Sequence, residues 1–338
     1  MCIRKNYAKD IGKDVYMECI LPFCVDVEMR MYHNKAFPLG IIKANISNYD
    51  IWLCNKLINC VCRKSGAFDS YEEDLWSVRD GLTFSQNIYL TPHSFELDGI
   101  DIVEFNKSML MSGYYITGGY NEYYIPRKVA YKNFDFNHDY VIFGYDEKKK
   151  VFKSAAYLND GSYSCYDIEY NDYFEAVTKN IVNKTSINYY LINSNYIAQI
   201  DIETIKSKLN DYLHSKLNGD ESTSGEIFGL SVWDKMPEYV LTVDDELDVR
   251  YSRAYMEHHS LMLKRIQTLL KYKYIKNNSL EKEYQDIFSN TRKVQNMFIK
   301  YNISKNRDLL SRISDTLRMV TCAERRVIKL LIDDIDTK

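Results

Sequence analysis

Proline and glycine are scarce in this chain, five and thirteen among 338 residues. That excludes collagen-like and Gly/Pro-rich low-complexity architectures. No apolar run reaches the roughly 18 residues that a bilayer-crossing helix needs. The opening Met1-Cys-Ile-Arg-Lys-Asn carries no apolar stretch behind its charges. Neither a membrane span nor a secretory leader is therefore expected, and the location expected is cytoplasmic. A charge surplus is also missing, since 44 Lys and Arg stand against 47 Asp and Glu for a net charge of -3. Nucleic acid is not expected as a partner, because neutralising phosphates needs a basic excess. Internal repeats and a Gly-rich phosphate loop are absent, the Gly118-Gly119 pair lacking the spacing for one.

What is present is an ordinary globular balance, 46% hydrophobic and 27% charged, over a length that suits about two domains. The eight cysteines are Cys2, Cys19, Cys24, Cys54, Cys60, Cys62, Cys165 and Cys322. Without a leader they read as reduced thiols rather than disulfides. Cys60-Val-Cys62 with Cys54 lacks a second ligand pair at finger spacing, so the expected metal is none. Thirty tyrosines, with abundant Asn, Lys and Ile, match the bias of an AT-rich genome, and no function is read from them.

Residues 1–197 read as mixed α/β and residues 198–338 as helical. In the first part Ile20, Phe23, Cys24, Val27 and Met31 fall at helical spacing, which predicts a helix over 20–33. Further helices are expected over Tyr49–Arg63, Val103–Ser112 and 170–180. Short aromatic and β-branched runs at Tyr114, Tyr140, Val151 and Tyr163 are separated by charged or Asn-Asp-Gly turns, the pattern of antiparallel hairpins. In the second part apolar stripes recur at three- and four-residue steps through Met256–Leu270, Leu280–Tyr301 and Leu310–Leu331, as antiparallel helices packed on the first domain would require.

Chemistry concentrates on Cys19 and His138. Pro22 is tolerated in a helix's first turn and damaging inside it, so it fixes the predicted helix start near Cys19. A thiol there would meet unpaired N–H groups and the positive dipole end, which favour the thiolate. Cys24 falls on the apolar face and reads as core. His138 opens the run Asn137-His-Asp-Tyr-Val-Ile-Phe-Gly-Tyr-Asp146 at the start of a strand. Cysteine with a distant histidine is the minimal nucleophile and base.

These stretches, with Gly113–Pro126, Phe152–Tyr163, Ile168–Ala176 and Glu257–Ile266, resemble the papain-like cysteine-protease superfamily. More closely they are similar to the butirosin-biosynthesis acyltransferase type of N-terminal domain and to the cysteine-protease homologues that form amides in closthioamide assembly. The resemblance implies an α+β, papain-like fold: an N-terminal helix headed by Cys, an antiparallel sheet, and a C-terminal helical domain. It implies an acyl group moved from a carrier-protein thioester through an acyl-Cys19 intermediate to an amine or diamine, with no cofactor beyond the carrier's phosphopantetheine arm. This is the chemistry of antibiotic assembly on nonribosomal-peptide templates. The family's oxyanion Gln is replaced by Lys13, and its orienting acid is missing at Ala155 and Ala156, leaving Asn159 and Asp160 as candidates. Asp139, next to His138, should point to the opposite face of its strand.

The Tyr-rich segment Tyr114–Tyr124 suggests a cleft wall, with Tyr120 and Tyr124 toward substrate and Glu122 holding an ammonium group. Arg127, Lys128 and Lys132 form a basic candidate for docking an acidic carrier. His258 and His259 are adjacent on a predicted helix, about 100° apart, and so poor partners for one metal. His33, His93 and His214 show no partner in the sequence. The helical part leaves room for a homodimer interface. Three readings stay open: an amide-forming acyltransferase, a peptidase or thioester hydrolase using the same pair, and a non-catalytic binding protein.

Overall fold

Charged and Asn-Asp-Gly turns flanked by aromatic and β-branched runs fold into hairpins in the computed structural model. It describes residues 17–71, 75, 82–90, 101–180, 185–193, 196–219 and 225–335, with backbone alone for 82–90 and 185. In chain order the elements are β1 (Glu18–Ile20), α1 (His33–Asn45), α2 (Tyr49–Cys54), β2 (Asn59–Cys62), β3 (Phe68–Tyr71), β4 (Leu82–Leu90), α3 (Ile102–Met111), β5 (Tyr115–Asn121), β6 (Asn137–Asp146), β7 (Val151–Tyr157), β8 (Tyr163–Glu169), α4 (Tyr170–Thr178) and β9 (Thr185–Ile192). There follow α5 (Ile202–His214), β10 (Ile227–Phe228), α6 (Ser231–Thr242), α7 (Val249–Lys271), α8 (Ser279–Ser304) and α9 (Asp308–Asp334). The fold class is α+β with antiparallel sheets. No helix among the described residues is long and apolar enough to cross a membrane.

Two compact units emerge, Met1–Ser47 with Leu75–Tyr196, and Asn48–Asp74 with Ile197–Lys338. The break after Tyr196 falls beside the boundary read from the sequence. The segment 48–74, read there as part of the first domain, lies in the second unit.

The first unit is built on one antiparallel sheet, ordered β4-β9-β5-β6-β7-β8, with β1 pairing the far end of β6. Its turns have local causes. Asp160 Oδ1 accepts from the Ser162 N–H at 2.8 Å, and Gly161 takes φ +77, which a side chain would resist. The apolar face of the sheet packs on α3 and α4 through Ile116, Tyr140, Ile142, Phe152 and Tyr173. Tyrosine serves here as a core residue, because its hydroxyls find one another. Tyr140 meets Tyr173 at 2.8 Å, Asn106 Nδ2 donates to Tyr173 at 2.9 Å, and Tyr189 donates to Asn106 Oδ1 at 2.8 Å. A buried hydroxyl without such a partner would cost about 1–3 kcal/mol.

The predicted helix over 20–33 does not form. Cys19 lies in β1, opposite Tyr145 of β6, and the Leu21 N–H continues the pairing to the Phe143 carbonyl at 2.7 Å. The Pro22 carbonyl accepts from the Tyr115 hydroxyl at 2.6 Å instead of from a helical N–H. The apolar residues that mimic a helix period pack individually. Phe23 stacks on Phe143 with centroids 4.7 Å apart, and it also closes over Gly40 of α1. Long-range strand pairing has overridden a local pattern. Gly144 makes that pairing fit, since a Cβ there would come within 2.6 Å of the Cys19 carbonyl oxygen. Gly144→Ala is therefore expected to destabilise the first unit by about 1–3 kcal/mol. An unchanged thermal melt would contradict the close approach.

In the second unit the expected helix over 49–63 stops at Cys54. Arg265 takes the carbonyls that would continue it, Nε donating to Cys54 O at 2.9 Å and Nη2 to Lys56 O at 2.5 Å, and Leu57 adopts φ 57. The chain then enters a three-stranded sheet, β10-β2-β3. The remaining helices follow their stripes. Tyr284, Ile287, Val294 and Phe298 of α8 are buried, as are Leu310, Ile313, Leu317, Val320 and Val327 of α9. Each contributes about 1.5–3 kcal/mol by burial.

Candidate functional site

The centre of the first unit is a histidine held by a carboxylate. The β5–β6 hairpin sets Tyr120 opposite His138, which carries Glu122, just past β5, to the same end of the sheet. Asn121 caps the turn by accepting from the Tyr123 N–H at 3.1 Å and the Phe136 N–H at 3.1 Å. Glu122 Oε1 then accepts from His138 Nδ1 at 2.8 Å, because a carboxylate can only accept. It also meets Lys128 Nζ at 3.1 Å. Burial alone would raise the Glu122 carboxyl, but the His138 hydrogen bond and the Lys128 ammonium hold it below the usual range. Lys128 is pushed down by burial, against the attraction of Glu122. The Glu122 side chain is 7% exposed and that of His138 is 38% exposed, so the imidazole has one edge free.

The head of α1 stands against this pair. His33, the first residue of α1, places its ring 4.5 Å from that of His138 and 4.7 Å from Phe37. Burial, with the nearby His138 and Lys128 charges, holds His33 well below the usual imidazole value, so it is neutral. On the other side of His138, Phe136 packs at 5.1 Å, leaving an exposed aromatic shelf with Phe134.

Cys19 is not part of this site. Its partner Tyr145 lies seven residues along β6 from His138, about 23 Å at the rise of an extended strand. Its thiol donates to the Leu110 carbonyl at 3.4 Å. Burial raises it above the ordinary cysteine value, the opposite of the thiolate stabilisation expected at a helix head.

Other expected residues are also placed differently. Asp160 and Asn159 are exposed turn residues: the Asn159 N–H donates to the Arg127 carbonyl at 2.8 Å, and Ser162 holds the Asp160 carboxyl below its usual value. Glu122 meets His138 in their stead, and His138 and Lys128 both lie on its Oε1. Tyr120 is fully buried, stacked 5.0 Å from Tyr140 and hydrogen-bonded to Tyr166 at 2.7 Å, so it is core rather than cleft wall. Tyr124 is half-buried under the Lys132 and Lys179 ammonium groups. Lys128 is turned inward, donating to the Tyr157 carbonyl at 3.1 Å, which removes it from the expected docking patch. Lys13, His93 and Cys2 lie outside the described residues.

The role of Glu122 was legible in principle, because pairing the β5 and β6 runs through Gly119 and Asp139 brings it beside His138. His33 had no such signal. Its position depends on α1 beginning at His33, where the predicted helix over 20–33 was to end.

Cys54 and Cys60 are buried, and all seven described cysteines are free. No group of three or more His, Cys, Asp or Glu able to hold a metal occurs among the described residues. His258 and His259 face different partners, Cys60 with Tyr212 and Glu324 with Tyr255. His214 points its Nδ1 at the Asn210 carbonyl.

A comparison of the sequence with protein-family models and with curated proteins finds no match.

Proposed function

We propose that the first unit is an amide-forming acyltransferase whose acid–base residue is His138, with the amine attacking a carrier-bound thioester directly. The observation that carries the reading is the hydrogen bond from His138 Nδ1 to the buried, charge-held Glu122. It fixes the tautomer in which Nε2 carries the lone pair, and it turns that nitrogen away from the carboxylate. As the amine nitrogen bonds to the thioester carbon, Nε2 takes its proton. The carbon–sulfur bond then breaks, and the leaving thiolate takes that proton back from the imidazolium. Glu122 stabilises the transient imidazolium. The first N–H groups of α1, at His33 and Asn34, have no intrahelical acceptor and are donors open to the developing oxyanion.

The fold reading that accompanies this is papain-like in a reduced sense. A helix head stands against the strand start that bears the histidine, and the head residue is His33 rather than a cysteine. No acyl-Cys19 intermediate enters, since that thiol is distant and held protonated. The acyl group and the carrier remain those implied by the resemblance.

Intact-mass and product analysis with an acyl-pantetheine and a simple diamine tests the reading. Amide should form without any acyl adduct on the protein, and Cys19→Ser should retain the rate within about threefold. An adduct mapping to Cys19 that decays as amide appears would restore the covalent route and overturn this one. Free acid released at the same rate without amine would identify a hydrolase instead.

A further inference from the structure

A histidine at the first position of a helix is placed against its own charge. The unpaired N–H groups there form the positive end of the dipole, which favours carboxylates and repels an imidazolium. His33 holds that position in α1. Its side chain is buried, and neither ring nitrogen makes a hydrogen bond. Such a ring is tolerated while neutral, because burying an unpartnered charge costs far more than burying a neutral polar group. The packed elements add to the bias. From β6 the His138 ring lies at 4.5 Å, and from the loop after β5 the Lys128 ammonium opposes a second positive charge. Tyr157 of β7 and Tyr163 of β8, at 6.3 and 6.4 Å, bring phenol rings rather than carboxylates. Arg30, ahead of α1, adds a cation beside Tyr163, and Lys35 of α1 is buried. The buried carboxylate nearby, Glu122, already meets His138 and Lys128. The Asp139 backbone pulls the other way and is outweighed.

The head of α1 is also weakly tied to the rest of its helix. Pro38 stands inside α1 and offers no N–H to the Asn34 carbonyl, so one rung is missing between 33–37 and the turn beyond. The Tyr32 carbonyl accepts from the Lys35 and Ala36 N–H groups at 3.0 and 2.9 Å, but no side chain caps the start. The ring of His33 on that of His138 fastens this turn to β6. The same residue is thus the fastening and the group that cannot be charged in place.

We propose that the head of α1 is an acid-released latch over His138: His33 closes it as a neutral ring, and proton uptake by that ring frees the head to hinge outward at Pro38. Opening returns the imidazole to water and to its ordinary value of about 6.5. Closed, His33 is held well below that value, so the latch is fully closed above it and loses ground as pH falls beneath it. One proton is taken up, which sets the loss at about tenfold in the closing equilibrium per pH unit. With the head out, His138 loses one of its two flanking rings and the N–H groups of α1. The latch is a property of the packing and does not depend on the chemistry assigned to His138.

Hydrogen exchange of the full chain, read by peptide mass across a pH series and corrected for intrinsic rates, tests the latch without substrate. Protection at the head of α1 should fall by about tenfold per pH unit below about 6.5, while α3 stays level. His33→Phe keeps a ring against Phe37 and His138 but takes no proton, so its head should stay level too. In His138→Gln the fall should persist, because the titrating ring is still there. A level wild type, an equal fall in His33→Phe, or its disappearance in His138→Gln would overturn the latch. Should His33→Phe not fold, 15N shifts of the wild-type His33 imidazole decide the matter. A neutral ring wherever the head is protected is the expected result, and an imidazolium inside a protected head would overturn the proposal.

Discussion

Amide formation by His138→Ala is expected to fall by about 10²–10⁴-fold, the usual worth of a positioned acid–base group. The loss should appear in kcat, because the imidazole acts as the amine attacks rather than when it binds. Glu122→Gln should cause a fall of similar order for a different reason. A carboxamide can present either its oxygen or its nitrogen to Nδ1, so the tautomer is no longer fixed, and Lys128 loses its counter-charge. The Glu122 carboxyl is held below its unfolded value, so its contribution to folding is fully present above that value. It is lost as pH falls through the lower, folded value. The acid limb of the rate profile should therefore move to higher pH in the Lys128→Met variant, in which one of the two groups holding the charge is gone. Retention of wild-type kcat by His138→Ala would remove the imidazole from the chemistry.

Glu324→Ala is expected to destabilise the second unit by about 3–5 kcal/mol, the cost of breaking a buried ion pair by removing one partner. Glu324 and His259 are both fully buried. His259 Nδ1 faces the Tyr255 carbonyl at 2.7 Å and Nε2 faces Glu324 at 3.0 Å, so both ring nitrogens meet acceptors, the pattern of an imidazolium. Tyr284 donates to the other carboxylate oxygen at 2.5 Å. Alanine would strand the imidazolium and the hydroxyl together among α7, α8 and α9. Burial alone would raise the Glu324 carboxyl, but the His259 charge and hydrogen bond keep it below its usual value. Its stabilisation is thus present above the ordinary carboxylate value and lost as pH falls through the lower folded one. His258 next to it is pushed down to about 3 by burial and is neutral. Urea unfolding followed by far-UV circular dichroism measures the change. Glu324→Gln, which keeps an acceptor for Tyr284, should lose less. A midpoint unmoved by Glu324→Ala would show that the pair is worth no more than the cavity replacing it.

Much of the secondary structure was written locally. The strands around Tyr140, Val151 and Tyr163 are bounded by their own turn residues, and the stripes of α7, α8 and α9 repeat at helical steps along their lengths. The site was not legible in the same way. Cys19 and His138 met the pattern of a nucleophile and a base, yet β1 belongs to the far end of β6, and its pairing is with residues more than a hundred positions later. Asn159 and Asp160 were the candidates just past β7, but they lie in its turn to β8. The orienting acid came from the preceding hairpin strand.

By itself, then, the sequence determined the α+β class and the change of texture near residue 197, because these rest on periodicity, turns and composition within a few residues. Tertiary structure alone decided that β1 is a strand, that Arg265 ends α2, and that Glu122 and His33 flank His138. Each of those outcomes is fixed by partners distant in the chain, which compete with local preference and win through pairing and burial.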